Sequence, residues 1–350
     1  MGGTNNKSNI RDSESTEFEN ENNSNFGNII FIPLIFDQIL QFLDDTDKMC
    51  LYFCNKKSYQ LYCNHINKLQ IKKKTKKSKI INVLNKYKNI ECLEINDCKD
   101  ISFLNENSNI KRLLLREKVD CDLLIKDWTP ISKLDKLEIL DIFTFTNISD
   151  ISFLKNIKTL KELYLNFSGE KIIKDSSPIS YLEKLEILKI YYTFDNISFL
   201  KNNKNIKKLV LNCPLNDYTP KSYLEKLEIL ELHKEYNLGG YLNNNSFLEK
   251  NKNIKSLIIS EFSFIKDYTP ISKLDKLEFL KLYHTDINSL LFLENCKNIK
   301  NLNLSYLYNL YKKIDDFTPI SKLDKLETLT FLKTNISDIS FLKKIKILDI

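Results

Sequence analysis

One stretch of sequence, residues 127 to 142, decides the fold, and it reads Asp127-Trp-Thr-Pro-Ile-Ser-Lys-Leu-Asp-Lys-Leu-Glu-Ile-Leu-Asp-Ile142. Its apolar residues are spaced by three, three, three and then two positions. A spacing of three suits a short helical or 3-10 turn, whereas a spacing of two places both side chains on one face of a strand. One unit is therefore predicted to be a helical turn followed by a short strand. Relatives of this block, which we call the proline-containing units, begin at Asp175, Asp217, Asp267 and Asp316.

A second block without proline alternates with the first, and we call its copies the intervening units. One copy runs from Ile151 to Leu165, and variants begin at Ile101, Ile197, Ser246, Leu291 and Ile339. Both blocks share the frame LxxLxxLxL. The predicted strands recur about every 23 residues, which is the signature of a stacked repeat. They begin in phase at twelve positions: Leu93, Leu113, Leu140, Leu163, Leu188, Leu209, Leu230, Leu257, Leu280, Leu302, Leu329 and Leu348.

This periodicity resembles the leucine-rich repeat family over roughly residues 80 to 350. The resemblance implies an α/β solenoid, a curved horseshoe with a parallel sheet on its concave side and short helical or 3-10 segments on its convex side. A single unit cannot bury its own leucines, so stacked units must share one continuous core. Proline is tolerated at the first turn of a helix, and the aspartate just upstream can cap that turn.

Residues 30 to 70 do not follow the repeat, and they resemble an F-box. The matching features are a Pro-containing start, an apolar helix, an acidic turn and a Cys-Lys segment. Lys48 replaces an apolar residue that is usual in the family, and the usual late Trp is absent. The matches are Ile32-Pro33, Ile39-Leu40-Gln41-Phe42-Leu43, Asp44 to Asp47, and Phe53-Cys54-Asn55-Lys56.

The F-box resemblance implies a small all-α adaptor at the N-terminus that docks on Skp1. The alternative is that the same apolar residues pack only against the first repeat. The resulting domain prediction is a disordered polar tail at 1–28, the F-box at 29–70, a basic connector at 71–85 and about twelve leucine-rich repeats at 86–350. The implied Skp1 contacts are Pro33, Leu34, Ile35, Ile39, Leu40 and Leu43.

The strand residues that flank the paired leucines are expected to line the concave surface. Adjacent strands lie about 4.8 Å apart, so aromatic residues on every second strand would form a row with a step of roughly 10 Å. Exposed aromatics dominate protein interfaces, which predicts that this row anchors a protein ligand. The alternative is that neighbouring side chains merely cover one another. The predicted target-binding residues are Phe143, Tyr191, His233 and Tyr283, with Asp141 and Lys189 beside them.

Composition excludes several classes of function. The chain has 6 glycines and no glycine-rich phosphate loop, and its 8 cysteines form no CxxC pair, so neither a cofactor nor a metal is expected. The three histidines lack a consistent Ser or Cys partner, which predicts that the chain is no enzyme. Only three residues are Arg, the residue that most often reads bases, so no nucleic-acid partner is expected. The repeated Asp-Lys-Leu-Glu blocks indicate solvated turns and ion pairs.

Targeting signals point to an intracellular, cytoplasmic protein. The chain shows no signal peptide, and the apolar run from Ile29 to Phe36 is shorter than the roughly 20 residues that span a bilayer, so no membrane contact is expected. The lysine run from Lys72 to Lys79 can be read as a nuclear import signal or a polyanion patch, and more simply as a solvated connector.

The whole chain resembles an F-box/leucine-rich repeat protein, a family that includes members encoded by large DNA viruses of eukaryotes. The resemblance implies the substrate-recognition subunit of a Skp1–cullin–F-box ubiquitin ligase. The F-box would bind a Skp1-like adaptor and its cullin complex, and the repeats would hold an unknown protein substrate. One alternative is an interaction module without a ligase role, whose N-terminal helices only cap the solenoid. A third hypothesis is nucleic-acid binding through the lysine run.

Overall fold

The computed structural model of the protein describes residues 67–72, 75–106, 109–117, 125–145, 148–167, 173–191, 194, 196–212, 224–234, 245–262, 265, 267–307, 314, 316–332 and 345–349. The predicted polar tail, residues 29–66 of the predicted F-box and all six implied Skp1 contacts lie outside this described part of the chain.

The described residues form one parallel sheet of 13 strands, and the order of the strands in the sheet is their order along the chain. All twelve leucines of the repeat frame lie in these strands and pair in register, from Leu93 beside Leu113 to Leu329 beside Leu348. This confirms the predicted α/β repeat architecture. The strands are β1 (Lys68–Ile71), β2 (Cys92–Asn96), β3 (Arg112–Arg116), β4 (Ile139–Thr144), β5 (Glu162–Phe167), β6 (Ile187–Tyr191), β7 (Lys208–Asn212), β8 (Ile229–His233), β9 (Ser256–Ser260), β10 (Phe279–Tyr283), β11 (Asn301–Ser305), β12 (Thr328–Thr330) and β13 (Ile347–Asp349).

Short 3-10 turns precede most strands, as the three-residue spacing predicts. Proline occupies the start of the turn in the proline-containing units, where its missing amide donor costs nothing. The aspartate upstream does bond to the turn: Asp267 Oδ1 accepts a hydrogen bond from the amide of Thr269 at 2.8 Å. The turns are Ser102–Glu106, Thr129–Lys133, Ser152–Asn156, Ser177–Tyr181, Ser198–Asn202, Ser246–Lys250, Thr269–Lys273, Leu291–Asn295 and Thr318–Lys322.

The sheet begins earlier than the sequence predicts. Strand β1 lies in the segment assigned to the F-box, and it pairs with β2 through Leu69 beside Leu93. The segment assigned to a basic connector contains a helix, α1 (Lys77–Lys86). Ile80 and Leu84 of this helix are buried because residues four apart share one helix face. Strand β1 and helix α1 thus lie before residue 86, where the sequence predicts the repeats to begin.

The core is a set of parallel columns of aliphatic side chains. In strands β2 to β11 the second and fourth residues point inward, so that Leu188 and Ile190 of β6 are both 0% exposed. Leu182 and Leu185, which lie between the preceding turn and β6, are buried to the same extent. Each column runs through successive units, which is why no unit folds alone. Three of the largest fully buried side chains are aromatic: Phe103, Phe194 and Phe331.

Ion pairs connect successive units at the residue just before each strand. A lysine of the intervening unit reaches the glutamate of the preceding proline-containing unit, which confirms the ion pairs predicted from the Asp-Lys-Leu-Glu blocks. The Nζ to Oε2 distances are 2.9 Å for Lys161–Glu138, 2.8 Å for Lys207–Glu186, 3.0 Å for Lys255–Glu228 and 2.8 Å for Lys300–Glu278. We call this series the edge ladder.

Candidate functional site

The candidate site is the side of the sheet opposite the aliphatic core, which we call the outer face. Strand side chains alternate between the two sides, so the first, third and fifth residues of each strand share this face. In β4 these residues are Ile139, Asp141 and Phe143, all half-buried, whereas Leu140 and Ile142 between them are fully buried. The same alternation in the other strands produces three rows that cross the sheet.

The four predicted aromatic residues do occupy one row. Phe143 and Tyr191 both pair with Asn166 of β5, and His233 and Tyr283 both pair with Ser260 of β9. These aromatic residues lie on every second strand, with a step of about 10 Å. All four are half-buried, and two of them contact other rings: Phe143 contacts Phe145 edge-on at 5.3 Å, and Tyr283 lies 5.0 Å from Tyr306. The strand register thus places the four residues in one row, while their role in binding stays a prediction.

The middle row of the same four strands carries one charge per strand, and the charges alternate in sign. They are Asp141, Lys189, Glu231 and Lys281. The first acid is held by a bidentate partner, because Arg116 Nη1 donates to Asp141 Oδ1 at 2.8 Å and Nη2 donates to Oδ2. The hydrogen bonds from Arg116 to Asp141 raise the pKa of the guanidinium and hold the two side chains in a bidentate arrangement.

The second acid, Glu231, has two partners. Its Oε2 lies 3.6 Å from His233 Nε2, and its Oε1 lies 2.7 Å from Lys208 Nζ on the preceding strand. The polar contact with His233, together with the hydrogen bond and charge of Lys208, lowers the pKa of Glu231 to about 2 although burial opposes this shift. Glu231 is therefore ionised at neutral pH and already neutralised by its neighbours.

The two lysines of the middle row lie over aromatic rings. Lys189 Nζ is 5.1 Å from the ring centre of Tyr164, and Lys281 Nζ is 5.1 Å from the ring centre of Tyr283. Tyr164 donates a hydrogen bond to Glu162 Oε2 at 2.7 Å, and burial together with this carboxylate raises the pKa of Tyr164, which keeps its hydroxyl protonated. Within the described ranges, neither Lys189 nor Lys281 forms an ion pair.

Sequence reasoning missed the residues that balance the charges of the outer face. Arg116, Lys208 and Tyr164 lie in units without proline, whose outer residues look unremarkable one at a time. Aligning the strands by register position places Arg116 beside Phe143 and Tyr164 beside Asp141 and Lys189. Lys208 lies beside Ile187 and Ile229 instead, so the alignment does not reveal its pairing with Glu231.

A second feature that was missed lies just beyond the strands, where Glu261, His284 and Tyr306 have positive φ angles of 67°, 49° and 54°. The imidazole of His284 stacks on the ring of Tyr306 at 4.8 Å. His284 and Tyr306 therefore extend the aromatic row past the last residues of β10 and β11.

Among the described residues, no group of three or more His, Cys, Asp or Glu side chains is arranged to hold a metal ion. In the same part of the chain, no helix has the length and apolar character needed to cross a membrane. The thiols of Cys92, Cys98 and Cys296 are free, and burial raises the pKa of Cys296 to about 12, which keeps this thiol protonated.

Comparisons with known proteins agree with the repeat architecture. No protein-family model matches the chain, and no curated protein sequence matches it either. Among solved structures, an internalin (InlF) from Listeria monocytogenes is 21% identical, with a TM-score of 0.62 over 83% of this chain and 88% of that chain. This likeness shows that the chain has a leucine-rich repeat fold.

Two solved receptor complexes are also similar in fold. TLR13 in its complex with ssRNA13 has a TM-score of 0.58 and 18% identity, over 81% of this chain and 43% of that one. The plant peptide hormone receptor RGFR1 in complex with RGF2 has a TM-score of 0.52 and 13% identity, over 75% and 45%. This chain thus matches less than half of either receptor's length, and at these identities the likeness extends to the fold alone.

Proposed function

We propose that the protein is an interaction module that binds a protein ligand on the outer face of its sheet. The observation that carries this proposal is the repetition of one surface pattern on strands β4, β6, β8 and β10. Each of these strands presents an apolar residue, a charged residue and an aromatic ring, all half-buried. Aromatic side chains that project from a rigid scaffold are the usual anchors of protein interfaces. The apolar residues are Ile139, Ile187, Ile229 and Phe279.

More specifically, we propose that the protein is the substrate-recognition subunit of a Skp1–cullin–F-box ubiquitin ligase. The support is the F-box resemblance of residues 29–70, directly before a repeat domain that is suited to holding a target. The mechanism is proximity: the repeats raise the effective concentration of target lysines near a separate conjugating enzyme, and this chain does no chemistry. We place this activity in the cytoplasm, with the lysine run 72–79 as the candidate nuclear import signal.

One observation favours the alternative of an interaction module without a ligase role. Residues 68–70, which the F-box prediction includes, belong to strand β1 of the sheet. The sheet therefore extends into the segment assigned to the F-box, as expected if that segment is part of the repeat module. The two readings differ in whether Skp1 binds.

Skp1 retention separates the two readings. The full chain, immobilised, is expected to retain purified Skp1, and the double substitution Ile39→Asp with Leu43→Asp is expected to abolish retention. A matched control is Leu291→Asp, which places the same charge on a leucine that is 61% exposed and far along the repeats. Absence of retention, or retention that the double substitution leaves intact, would refute the ligase proposal.

The outer face is tested independently of Skp1. Proteins recovered with the full chain from a cell extract are identified by mass spectrometry, and the triple substitution Phe143→Ala, Tyr191→Ala and Tyr283→Ala is expected to remove them. The control is Tyr181→Ala, which removes a ring that is 47% exposed in a turn away from this face. Unchanged recovery with the triple variant would show that the aromatic row does not anchor the ligand.

A further inference from the structure

The acids and the lysines of the middle row differ in how their charges are balanced. Asp141 and Glu231 each have a cation on the preceding strand, Arg116 for the first and Lys208 for the second. Lys189 and Lys281 have no carboxylate within ion-pair distance in the described part of the chain. The positive charges of this row are therefore left uncompensated, while its negative charges are already paired.

The two lysines are also held in place. An ammonium over the face of a tyrosine is attracted by the ring, which restricts the otherwise mobile lysine side chain. The ring accepts no hydrogen bond comparable to that of a carboxylate, so the three N–H donors of each ammonium remain available to a ligand. A pre-positioned cation loses less conformational freedom on binding, and this favours an anionic partner.

The distance between Lys189 and Lys281 determines which kind of anionic partner can reach both. Lys189 lies on β6 and Lys281 on β10, four strand spacings apart, which corresponds to about 19 Å. An extended peptide advances about 3.3 Å per residue, so two of its side chains six residues apart span this distance. Six is an even number, so both side chains point to the same side of the peptide. The aromatic row, with His233 midway between Tyr191 and Tyr283, runs beside this path.

We infer that the outer face binds an extended acidic segment, in which one carboxylate pairs with Lys189 and a second, six residues away, pairs with Lys281. This inference deepens the proposed protein-binding function and rests on it. Paired acidic side chains would meet the two uncompensated ammonium groups, and the residues between them would pack along the aromatic row. Carboxylates suit these sites because lysine acts as a compact point charge, whereas phosphate recognition usually employs clustered arginines.

A single-stranded nucleic acid fits the outer face less well. Such ligands need a positive groove that follows the phosphate backbone continuously. Here Asp141 and Glu231, each already paired with a cation, alternate with the lysines along the middle row, so the row offers no continuous positive path to a phosphate backbone. Discrete acidic side chains at a fixed separation avoid these positions.

The test uses the full chain and synthetic probes. Fluorescein-labelled 12-residue peptides each carry two glutamates separated by two, four, six or eight residues, in one uncharged Ser/Thr/Leu background. Fluorescence anisotropy is expected to show the tightest binding at a separation of six. Lys189→Gln and Lys281→Gln are each expected to weaken that binding about three- to fivefold, which is typical of a partly exposed ion pair. The control variant, Lys273→Gln with Lys322→Gln, removes two exposed turn lysines and is expected to have no effect.

Charge reversal predicts a gain of binding to a new peptide, which a misfolded variant would not show. The double variant Lys189→Glu with Lys281→Glu is expected to lose the glutamate peptide and to gain the matching peptide with two lysines six residues apart. Binding that ignores glutamate separation, or that falls equally in the control variant, would mean unspecific charge attraction and would overturn the inference. Tighter lysine-dependent binding of a 12-nucleotide oligouridine would overturn it in favour of a nucleic acid.

The outcome is distinguishable from failure of the proposed function itself. If no acidic peptide binds while the aromatic triple variant loses its protein ligand, the acidic segment is wrong and the protein-binding face stands. If the triple variant keeps its ligand and the peptides do not bind, both proposals fail. Spacing-dependent peptide binding that requires both lysines supports both.

Discussion

The proline-containing units and the intervening units share one backbone and present different surfaces. Both consist of a five-residue 3-10 turn and a short strand, and both bury the second and fourth strand residues, such as Leu188 and Ile190 of β6 or Leu209 and Leu211 of β7. On the outer face, however, the first kind presents apolar, charged and aromatic residues in order, while the second presents mostly polar ones. The buried frame thus fixes the architecture, and the positions outside it are free to specify binding.

Charge pairing connects the two kinds of unit. In the edge ladder the glutamate belongs to the proline-containing unit and the lysine to the intervening unit that follows. On the outer face the acid again belongs to the proline-containing unit, and the cation comes from the unit that precedes it. Two units together, about 46 residues, are therefore the true electrostatic repeat, although the core repeats with every single unit.

The largest expected effect tests whether the buried frame is the same in both kinds of unit. Leu188→Ala and Leu209→Ala should each lower the free energy of unfolding by about 2–5 kcal/mol, because each removes a fully buried side chain and leaves a cavity. Urea denaturation followed by circular dichroism measures the cost. Leu291→Ala, at a leucine that is 61% exposed, is the control and should change stability by less than about 0.5 kcal/mol. A large cost in one unit and a negligible cost in the other would break the comparison.

A middle-sized effect tests the pairing across units on the outer face. The pKa of Glu231 is lowered from 4.5 to about 2, so its stabilisation is present above pH 4.5 and is lost as the pH falls towards 2. Glu231→Gln should therefore cost about 1.5–3 kcal/mol at pH 7, the range of hydrogen bonds to charged groups, and almost nothing at pH 2. Urea denaturation at several pH values measures the difference. Glu225→Gln, at an exposed carboxyl of a turn, is the control, and equal pH dependence in both variants would contradict the prediction.

Most of the fold could be predicted from the sequence because burial repeats with a fixed period. The missed strand, β1, contains Leu69 and Ile71 in the same LxL spacing and lies one repeat length before Leu93. The repeat frame does not reveal β1, because helix α1 rather than a 3-10 turn connects β1 to β2. The LxxLxxL part of the frame is therefore absent. Periodicity alone predicts this strand, whereas the F-box resemblance assigns most of the segment to a different domain.

The candidate site could be predicted only in part, for a different physical reason. Strand alternation and register fix which residues share a face, so the aromatic row followed from counting. Whether a charged group is paired depends on the direction in which the long side chains of the neighbouring strand point. Counting positions along the sequence does not give this direction. Asp141 and Lys189 appeared equivalent as binding residues, yet Asp141 is held by Arg116 while Lys189 lies over the ring of Tyr164.

The smallest expected effect concerns the edge ladder. It tests whether ion pairs that repeat regularly along the sheet also contribute much to stability. Lys255 and Glu228 are 3.0 Å apart, but their side chains are 50% and 46% exposed, so solvent screens the attraction. A double-mutant cycle of Lys255→Gln and Glu228→Gln should therefore give a coupling energy of about 0.2–1 kcal/mol, which falls in 1 M salt. The cycle built on Lys208 and Glu231, with side chains 26% and 20% exposed, should give a larger coupling that salt reduces less. If the two cycles gave equal coupling energies, each edge-ladder pair would stabilise the fold as much as the outer-face pair does. The regular spacing of the ladder would then contribute to stability and would not only keep the surface solvated.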